Sequence, residues 1–274
     1  MPTLRVQALH IHPVKSLGGV APEVMTVEPW GPAGDRRWAV VDADGKAVTQ
    51  REQPRLALAS ARPLADGAVA VAAPGMDPLE ILPPTVIELV PFILFGKKIE
   101  AALAHDAAHD WFSAFLGAPV RLVHLDRPDL RRLVNPDFAL PGETVSLADG
   151  FPVMVANSAS LDALNSLIAE GTRAEEGPLP MNRFRPNVVV SGAPAWAEDH
   201  WRRLAVGGVE FRVARTCGRC VITTTDQATA ERGKEPLRTL ARHRAEGKRL
   251  IFGQLLVPVA TGTVRLGDEV RVLD

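Results

Sequence analysis

The sequence predicts a β-dominated α+β fold whose first half is rich in short strands. Two Asp-Gly pairs, at residues 44–45 and 66–67, separate short apolar segments in the way that tight turns separate the strands of hairpins. Prolines at positions 54, 63, 74, 78, 83 and 84 disfavour long helices in the same region. Short strands without long helices are typical of a β-barrel or a strongly curved sheet.

In the first half, two hairpins and one helix can be placed. Residues 37–49 predict a hairpin around Asp44-Gly45, and Asp66-Gly67 before the segment 68–72 predicts a second one. Apolar residues at helical spacing predict a helix over about 105–116. Gly117 follows it at the position where a left-handed residue commonly ends a helix.

The second half mixes helices and strands. The polar, Pro-rich segment 126–144 predicts a long loop, and we place a domain boundary near its start. That boundary divides the chain into domains 1–122 and 123–274. Ser160 is predicted to cap one helix, and Pro236 to begin another that runs to about residue 245. The last segments, within 263–273, are predicted to pair with each other as a closing hairpin.

Length, charge and cysteine content exclude several classes of protein. The chain has 274 residues, of which 46% are hydrophobic and 23% charged, and its formal net charge is -1. This length allows one large domain or two small ones. The near-zero charge argues against a nucleic-acid partner. Two cysteines are too few for a disulfide scaffold or for an iron–sulfur cluster held by four cysteines.

The sequence also predicts a protein without a membrane partner. The most apolar segment, 86–95, contains Glu88 and Pro91 and is much shorter than the roughly 18 residues that a membrane span requires. The first residues carry no sustained apolar run of the signal-peptide type. We therefore expect a cytoplasmic protein.

The strongest chemical signal is the sequence Cys217-Gly218-Arg219-Cys220. A thiolate is a soft ligand for a redox metal, and the positive charges of Arg215 and Arg219 favour a thiolate over a thiol. A zinc site would require two further ligands, a thioredoxin-like site would require a βαβ context, and two inert buried thiols also fit the motif. Unless Gly218 makes a turn, the two cysteines face opposite sides of a strand, and only one can reach a given ligand.

Other segments are compatible either with anion binding or with ordinary loops. Lys15 and Ser16 stand before two glycines and could grip a phosphate, although the glycine spacing is not that of a P-loop. Arg185 and Asn187 precede an apolar strand and offer a guanidinium fork and an amide, and Arg36 occupies a similar charged turn. Arginine outnumbers lysine by 25 to 6, so compositional bias explains isolated arginines equally well.

One pair of histidines is discounted as a metal site. His105 and His109 are four residues apart, which is a spacing that zinc sites use, but the Glu of the protease signature is missing. The simpler interpretation places both histidines on the solvated side of the helix that buries Trp111 and Phe115.

Taken together, eight segments resemble one family. They are residues 12–16 (HPVKS), 35–38 (DRRW), 53–56 (QPRL), 184–187 (FRPN), 217–220 (CGRC), 234–237 (KEPL), 252–254 (FGQ) and 262–268. The chain resembles MOSC-domain proteins that carry a MOSC N-terminal β-barrel domain, and within them the amidoxime-reducing and N-hydroxylated-base-detoxifying members. The resemblance covers nearly the whole chain. It implies an N-terminal β-barrel-like domain followed by a MOSC β-barrel domain with peripheral helices.

The resemblance implies a molybdenum cofactor, molybdopterin with its metal, in a cleft between the two halves. Cys220 matches the molybdenum ligand and is the implied catalytic residue, whereas Cys217 is not expected to be a ligand. The implied cofactor-binding residues are Lys15, Ser16, Arg36, Arg185, Asn187 and Arg219. The pair Phe95-Gly96 stands where many bacterial relatives have Trp-Gly, and we interpret it as a packing feature. Gly150 stands where amidoxime-reducing relatives carry a serine.

The function implied by the resemblance is an oxidoreductase that reduces N-hydroxylated small molecules by oxygen-atom transfer. Electrons are expected from a separate protein, ferredoxin-like or a flavin or haem reductase, because no cysteine follows Cys220. One alternative is a carrier of the cofactor or of sulfur that performs no turnover. Another is a two-domain protein with a CxxC redox or zinc site.

Overall fold

In the computed structural model, which describes residues 3–274, strands carry most of the regular structure. The strands are β1 (Arg5–Leu9), β2 (Val24–Glu28), β3 (Gly31–Pro32), β4 (Trp38–Asp42), β5 (Ser60–Pro63), β6 (Val69–Ala72), β7 (Leu79–Ile81), β8 (Leu89–Leu94), β9 (Lys97–Leu103), β10 (Val120–His124), β11 (Val153–Asn157), β12 (Val188–Ser191), β13 (Arg203–Val206), β14 (Val209–Gly218), β15 (Ala245–Glu246), β16 (Arg249–Pro258), β17 (Gly262–Arg265) and β18 (Val270–Val272). The α-helices are α1 (Asp106–Leu116), α2 (Pro128–Arg131), α3 (Ser158–Ala169) and α4 (Leu237–His243). Short 3₁₀ helices cover Pro54–Leu58, Ala65–Gly67, Ala174–Glu176, Met181–Arg183, Ala197–His200 and Val221–Thr224.

The largest sheet closes almost completely on itself. Its strand order is β1-β12-β11-β16-β14-β13-β18, with β15 added beside β16. The two ends of this order meet, because the Val270 amide donates to the Leu4 carbonyl at 2.8 Å and the Val6 amide donates to the Asp268 carbonyl at 2.9 Å. Closure leaves few unpaired strand edges. The predicted β-dominated α+β fold with a barrel is confirmed.

The remaining strands form a four-stranded sheet, β4-β10-β9-β8, and two three-stranded sheets, β17-β2-β3 and β5-β6-β7. Helix α1 packs on the core of this part of the molecule through its apolar face, which buries Trp111, Phe112 and Phe115. It ends at Gly117, whose φ is 67°, as the sequence predicts. Both predicted Asp-Gly hairpins are present, the second one pairing β5 with β6.

Helix α3 begins three residues earlier than the cap prediction places it. Asn157 is its N-cap, and its side-chain oxygen accepts a hydrogen bond from the Ala159 amide at 3.2 Å. The prediction that Ser160 caps this helix is wrong, because Ser160 lies fully buried in the first turn, where its hydroxyl donates to Glu198 at 2.8 Å. Helix α4 is shorter than predicted, and Pro236 occupies its N-cap rather than its first turn.

The predicted closing hairpin is also wrong. Strand β17 pairs with β2, and β18 pairs with β13, so the two last strands belong to different sheets. The turn between them does form, with the Asp268 carboxylate accepting from the Arg265 amide at 2.7 Å. Strands β17 and β18 do not pair with each other, because the Gly267 amide donates to the Val6 carbonyl of β1 at 2.9 Å and fixes the turn to the barrel.

The two predicted domains share strands in this structure. Strand β10 (Val120–His124) spans the boundary predicted at residue 122, and β1 and β2 pair with strands of the second half. The division into 1–122 and 123–274 stays a prediction. The segment 126–144 is mostly loop, as predicted, with the single helical turn of α2 inside it. Within residues 3–274, no helix is long and apolar enough to cross a membrane.

Candidate functional site

A cavity of about 340 Å³ is lined by residues from both halves of the chain. All seven residues that the sequence singles out as site residues line it: Lys15, Ser16, Arg36, Arg185, Asn187, Arg219 and Cys220. They come from segments that are far apart in sequence, and the pairing of β1 with β12 brings the first of these segments beside the later ones. A volume of this size is that of a small-molecule or cofactor site.

The two cysteines occupy different environments. Cys217 lies near the end of β14 and is 8% exposed within an apolar cluster, where burial raises the pKa of its thiol. Arg219 donates to the Cys217 sulfur at 2.8 Å and to the Phe184 carbonyl at 2.7 Å. Cys220 is half-buried and directly precedes a 3₁₀ helix. The Arg219 guanidinium is therefore bonded to Cys217 rather than to Cys220.

Two alternatives for the cysteine motif lack their structural context. Within residues 3–274, no group of three or more His, Cys, Asp or Glu side chains is placed to hold a metal ion, so a zinc site has no ligand set. The motif follows an antiparallel strand and not a βαβ unit, which a thioredoxin-like site would require.

The second candidate metal site, the histidine pair 105 and 109, has one of its rings engaged elsewhere. The His109 ring is hydrogen-bonded to the backbone, since its Nδ1 accepts from the Leu122 amide at 3.1 Å.

A pair of arginines forms one wall of the cavity. Arg36 donates to the fully buried Asp35 carboxylate at 2.6 Å and to the Arg185 carbonyl at 3.1 Å. Arg185 has a buried Nη2 without a hydrogen-bond partner, and burial, reinforced by repulsion from Arg36, lowers the pKa of its guanidinium to about 9. Both arginines have positive φ values, 48° and 53°, which non-glycine residues adopt uncommonly. Such a buried, unpartnered N–H group is suited to an anion.

A lysine and a carboxylate form a second wall. The Lys15 ammonium donates to Asp149 at 2.6 Å and to the Leu147 carbonyl at 2.9 Å, and burial lowers the pKa of Lys15 to about 8. Arg51 donates to the other Asp149 oxygen at 2.8 Å. The two cations that donate to it, Lys15 and Arg51, hold the pKa of Asp149 well below its usual range. Asp149 is thus an ionised carboxylate, 60% exposed at the cavity.

Sequence reasoning did not find Arg51. Its backbone is held from the second half of the chain, because Arg232 donates to the carbonyls of Gln50 and Arg51. The Gln50 and Gln227 side-chain amides also exchange two hydrogen bonds, at 3.0 and 3.1 Å. Burial acts to lower the pKa of Arg51, but Asp149 and the nearby Cys220 thiol raise it. Arg51 thereby lies between Asp149 and Cys220. The one sequence signal that pointed to Arg51 is its position two residues before the family-like segment 53–56.

Asn187 and Ser16 contribute more to the scaffold than to the open cavity. The Asn187 side chain accepts from the Met154 amide at 3.2 Å and donates to the His10 carbonyl at 3.2 Å, which joins β1 to the start of β11. Ser16 has a φ of 70°, and its carbonyl accepts from the Gln50 side chain at 2.7 Å. Their assignment to cofactor binding stays a prediction.

Comparisons with known proteins agree with this arrangement. The MOSC N-terminal beta barrel domain matches residues 3–119, and the MOSC domain matches residues 142–271. Mitochondrial amidoxime-reducing component 1 of Homo sapiens is 34% identical over 98% of this chain and 82% of its own length. The chain belongs to the MOSC-domain family. Mitochondrial amidoxime reducing component 2 of Bos taurus is 36% identical over 97% of this MOSC-domain protein and 82% of its own length.

Both matched domains of this MOSC-domain protein supply the cavity. The first contributes Lys15 and Arg36, and the second contributes Arg185 and Cys220. Arg51 of the first domain lies behind this lining, where it donates to Asp149. Among solved structures, the YuaD protein of Bacillus subtilis covers 98% of the chain with 13% identity and a TM-score of 0.42. That similarity is too low to bear on function.

Proposed function

We propose that this MOSC-domain protein is a molybdenum-cofactor-dependent oxidoreductase that reduces N-hydroxylated small molecules. The amidoxime-reducing components among its relatives support this reaction class. The observation that carries the proposal is one cavity holding both a half-buried thiol, Cys220, and a buried guanidinium with an unpartnered N–H, that of Arg185. A soft metal ligand and an anion donor at one site suit a metal bound through an anionic organic group.

The residues present fit such a group. The implied cofactor is a pterin dithiolene with a phosphate, so it is anionic and needs cations around it. Lys15, Arg36 and Arg185 line the cavity, and each is largely buried, so that a charge-assisted hydrogen bond there is strong. The unpartnered Nη2 of Arg185 needs an acceptor that residues 3–274 do not supply. We assign these three residues to the phosphate and pterin.

Cys220 is the proposed metal ligand, and Cys217 is not. The Cys217 thiol is buried with a raised pKa and accepts a hydrogen bond from Arg219, whereas Cys220 lies outside the strand and beside Arg51. When bound, the cofactor supplies oxygen-atom transfer from an N–OH group.

The reaction as a whole consumes two electrons and two protons. They convert the N–OH group of the substrate to N–H and release one water. We propose that the electrons come from a separate redox protein, because two cysteines are too few for a four-cysteine cluster within this chain. The exposed Asp149 carboxylate is placed to accept hydrogen bonds from substrate N–H groups, and Lys15 and Arg51 hold it in position.

The test compares three proteins expressed with ample molybdate in a host that makes the cofactor: wild type, Cys220→Ser and the matched control Cys217→Ser. Molybdenum is measured by elemental analysis, and reduction of benzamidoxime is measured with dithionite and viologen as the electron donor. We expect about one molybdenum per chain in wild type and in Cys217→Ser, little in Cys220→Ser, and activity that follows the metal.

Other outcomes count against the proposal in distinct ways. Equal loss of metal from both variants contradicts the assignment of the ligand. Molybdenum without reduction of any N-hydroxylated compound favours a carrier of the cofactor. A wild type that takes up zinc, or no metal even after reconstitution, overturns the proposal altogether.

A further inference from the structure

The tip of the β8–β9 hairpin carries a side chain that its backbone does not favour. Leu94 pairs with Lys97, so Phe95 and Gly96 form a two-residue turn, and their φ values are 51° and 75°. Turns of this kind favour Asn-Gly, since both central residues are left-handed. A bulky aromatic residue with positive φ is a genuine outlier. Strained residues of this kind cluster at functional sites, so the Phe95 ring calls for an explanation outside the turn.

Core packing does not supply that explanation. Phe95 is 48% exposed, whereas Leu94 beside it is 2% exposed. The interpretation of Phe95-Gly96 as a packing feature therefore stays a prediction, and it leaves the exposed half of the Phe95 ring unexplained. About half of the Phe95 side chain is therefore free to contact a ligand.

The Phe95 ring packs against the two cations that bind Asp149, a carboxylate that lines the cavity. The Lys15 ammonium is 4.9 Å from the ring centroid, and the Arg51 guanidinium carbon is 4.8 Å from it. Both cations bind the Asp149 carboxylate, and Arg51 also lies near Cys220. The exposed part of the ring is therefore placed beside the group that we assign to substrate N–H bonds.

The hairpin tip is held in place before any ligand arrives. The Ile93 amide donates to the Gly45 carbonyl at 2.7 Å, and the Ala47 amide donates to the Ile93 carbonyl at 2.9 Å. These bonds tie the strand next to Phe95 to the turn after β4. A ring that is fixed in advance costs little further order when a ligand contacts it.

We propose that Phe95 is the specificity-determining residue of this site and that it favours N-hydroxylated groups attached to a planar aromatic ring. The Phe95 ring contacts the substrate ring, while Asp149 accepts from the adjoining N–H group. This inference rests on the proposed function and deepens it. An aromatic pair of this kind corresponds to a preference of about five- to tenfold.

The experiment compares wild type with Phe95→Asn, Phe95→Leu and Leu89→Ala. Asparagine suits the left-handed turn, leucine keeps an apolar side chain without the ring, and Leu89 is a matched exposed residue at the other end of β8. Values of kcat/KM are measured for benzamidoxime and acetamidoxime. Affinities for their products, benzamidine and acetamidine, are measured by calorimetry on the same preparations.

We expect both Phe95 variants to lower kcat/KM for benzamidoxime about five- to tenfold and to change kcat/KM for acetamidoxime less than twofold. The affinity for benzamidine should fall by the same factor as kcat/KM for benzamidoxime. Leu89→Ala should leave both kcat/KM values and both affinities unchanged, and the Tm of Phe95→Asn should be no lower than that of wild type. Equal losses for both substrates would show that the ring only positions Lys15 and Arg51, and would overturn the proposal. No loss for either substrate would overturn it as well.

The binding arm separates this inference from the proposed reaction. If wild type reduces neither amidoxime but binds benzamidine more tightly than acetamidine in a manner that depends on Phe95, the aromatic selectivity stands and the proposed reaction fails. If wild type reduces both amidoximes with the same kcat/KM and the Phe95 variants behave identically, the reaction stands and the selectivity fails.

Discussion

Lys15 is expected to destabilise the protein when the cofactor is absent. It is 4% exposed, and burial lowers its pKa from 10.5 to about 8 even though Asp149 partly compensates. At pH 7 the lysine is charged in both the folded and the unfolded chain, so this pKa gap corresponds to about 3 kcal/mol against folding. Replacement of Lys15 by methionine removes that cost and keeps an unbranched chain of similar length.

The replacement also removes a hydrogen bond to the Leu147 carbonyl, and this loss lowers the stability by about 1 kcal/mol. The Asp149 carboxylate still accepts a hydrogen bond from Arg51 and remains in contact with solvent. We therefore expect cofactor-free Lys15→Met to be about 2 kcal/mol more stable than wild type at pH 7. For a chain of 274 residues that unfolds cooperatively, this corresponds to a rise in Tm of about 3 °C.

The sign of the pH dependence gives a second check. Between about pH 8 and pH 10.5 the unfolded chain holds the Lys15 proton and the folded chain has lost it, so wild-type stability rises with pH relative to the variant. Thermal unfolding of both cofactor-free proteins at pH 7 and pH 10 measures this. A variant that melts below wild type at pH 7, or a Tm gap that is unchanged at pH 10, would refute the reasoning.

Two other buried groups give predictions of stability. Burial lowers the pKa of His124 from 6.5 to about 4, so wild-type Tm should fall as the pH drops through this window. His124→Phe keeps an aromatic ring against Trp38, whose ring centroid is 4.3 Å from that of His124 in wild type. The Tm of this variant should fall less than the wild-type Tm between pH 7 and pH 4, and an equal fall would contradict this account. Asp35→Asn removes the buried carboxylate that Arg36 binds and should lower the free energy of unfolding in urea by about 3 kcal/mol. The exposed control Asp44→Asn should change it by less than about 0.5 kcal/mol, and similar values for both variants would contradict the account.

Local patterns were enough to predict the elements whose ends are set by their own residues. The hairpin at Gly45 and the end of α1 at Gly117 depend on left-handed turns that nearby residues specify. The last hairpin failed for a different reason. Its turn forms as predicted, but the choice of partner for β17 and β18 is made by β2 and β13, which are distant in sequence. No local signal describes that competition.

The residues of the candidate site also divide into those with a local sequence signal and those set by tertiary structure. Lys15, Arg185 and Cys220 stand in motifs with recognisable neighbours, so the sequence could predict that they share a cavity. Arg51 and Asp149 stand in unremarkable loops, and they become a pair only because the folded chain brings them to 2.8 Å across 98 positions. Their importance is a property of tertiary structure and of the charge balance around Lys15.

The pairing of β1 with β12 sets an order of events during synthesis. Arg5 pairs with Ser191, so β1 waits for roughly 180 further residues after its own synthesis, which takes roughly ten to forty seconds at ordinary translation rates. One edge of β2 pairs with β3 soon after synthesis, but its other edge waits for β17, since Val24 pairs with Arg265. Until β12 has been synthesised, β1 lacks the strand that it pairs with and is a natural target for a chaperone. The cavity wall that holds Arg36 and Arg185 can therefore form only after β12 has been synthesised.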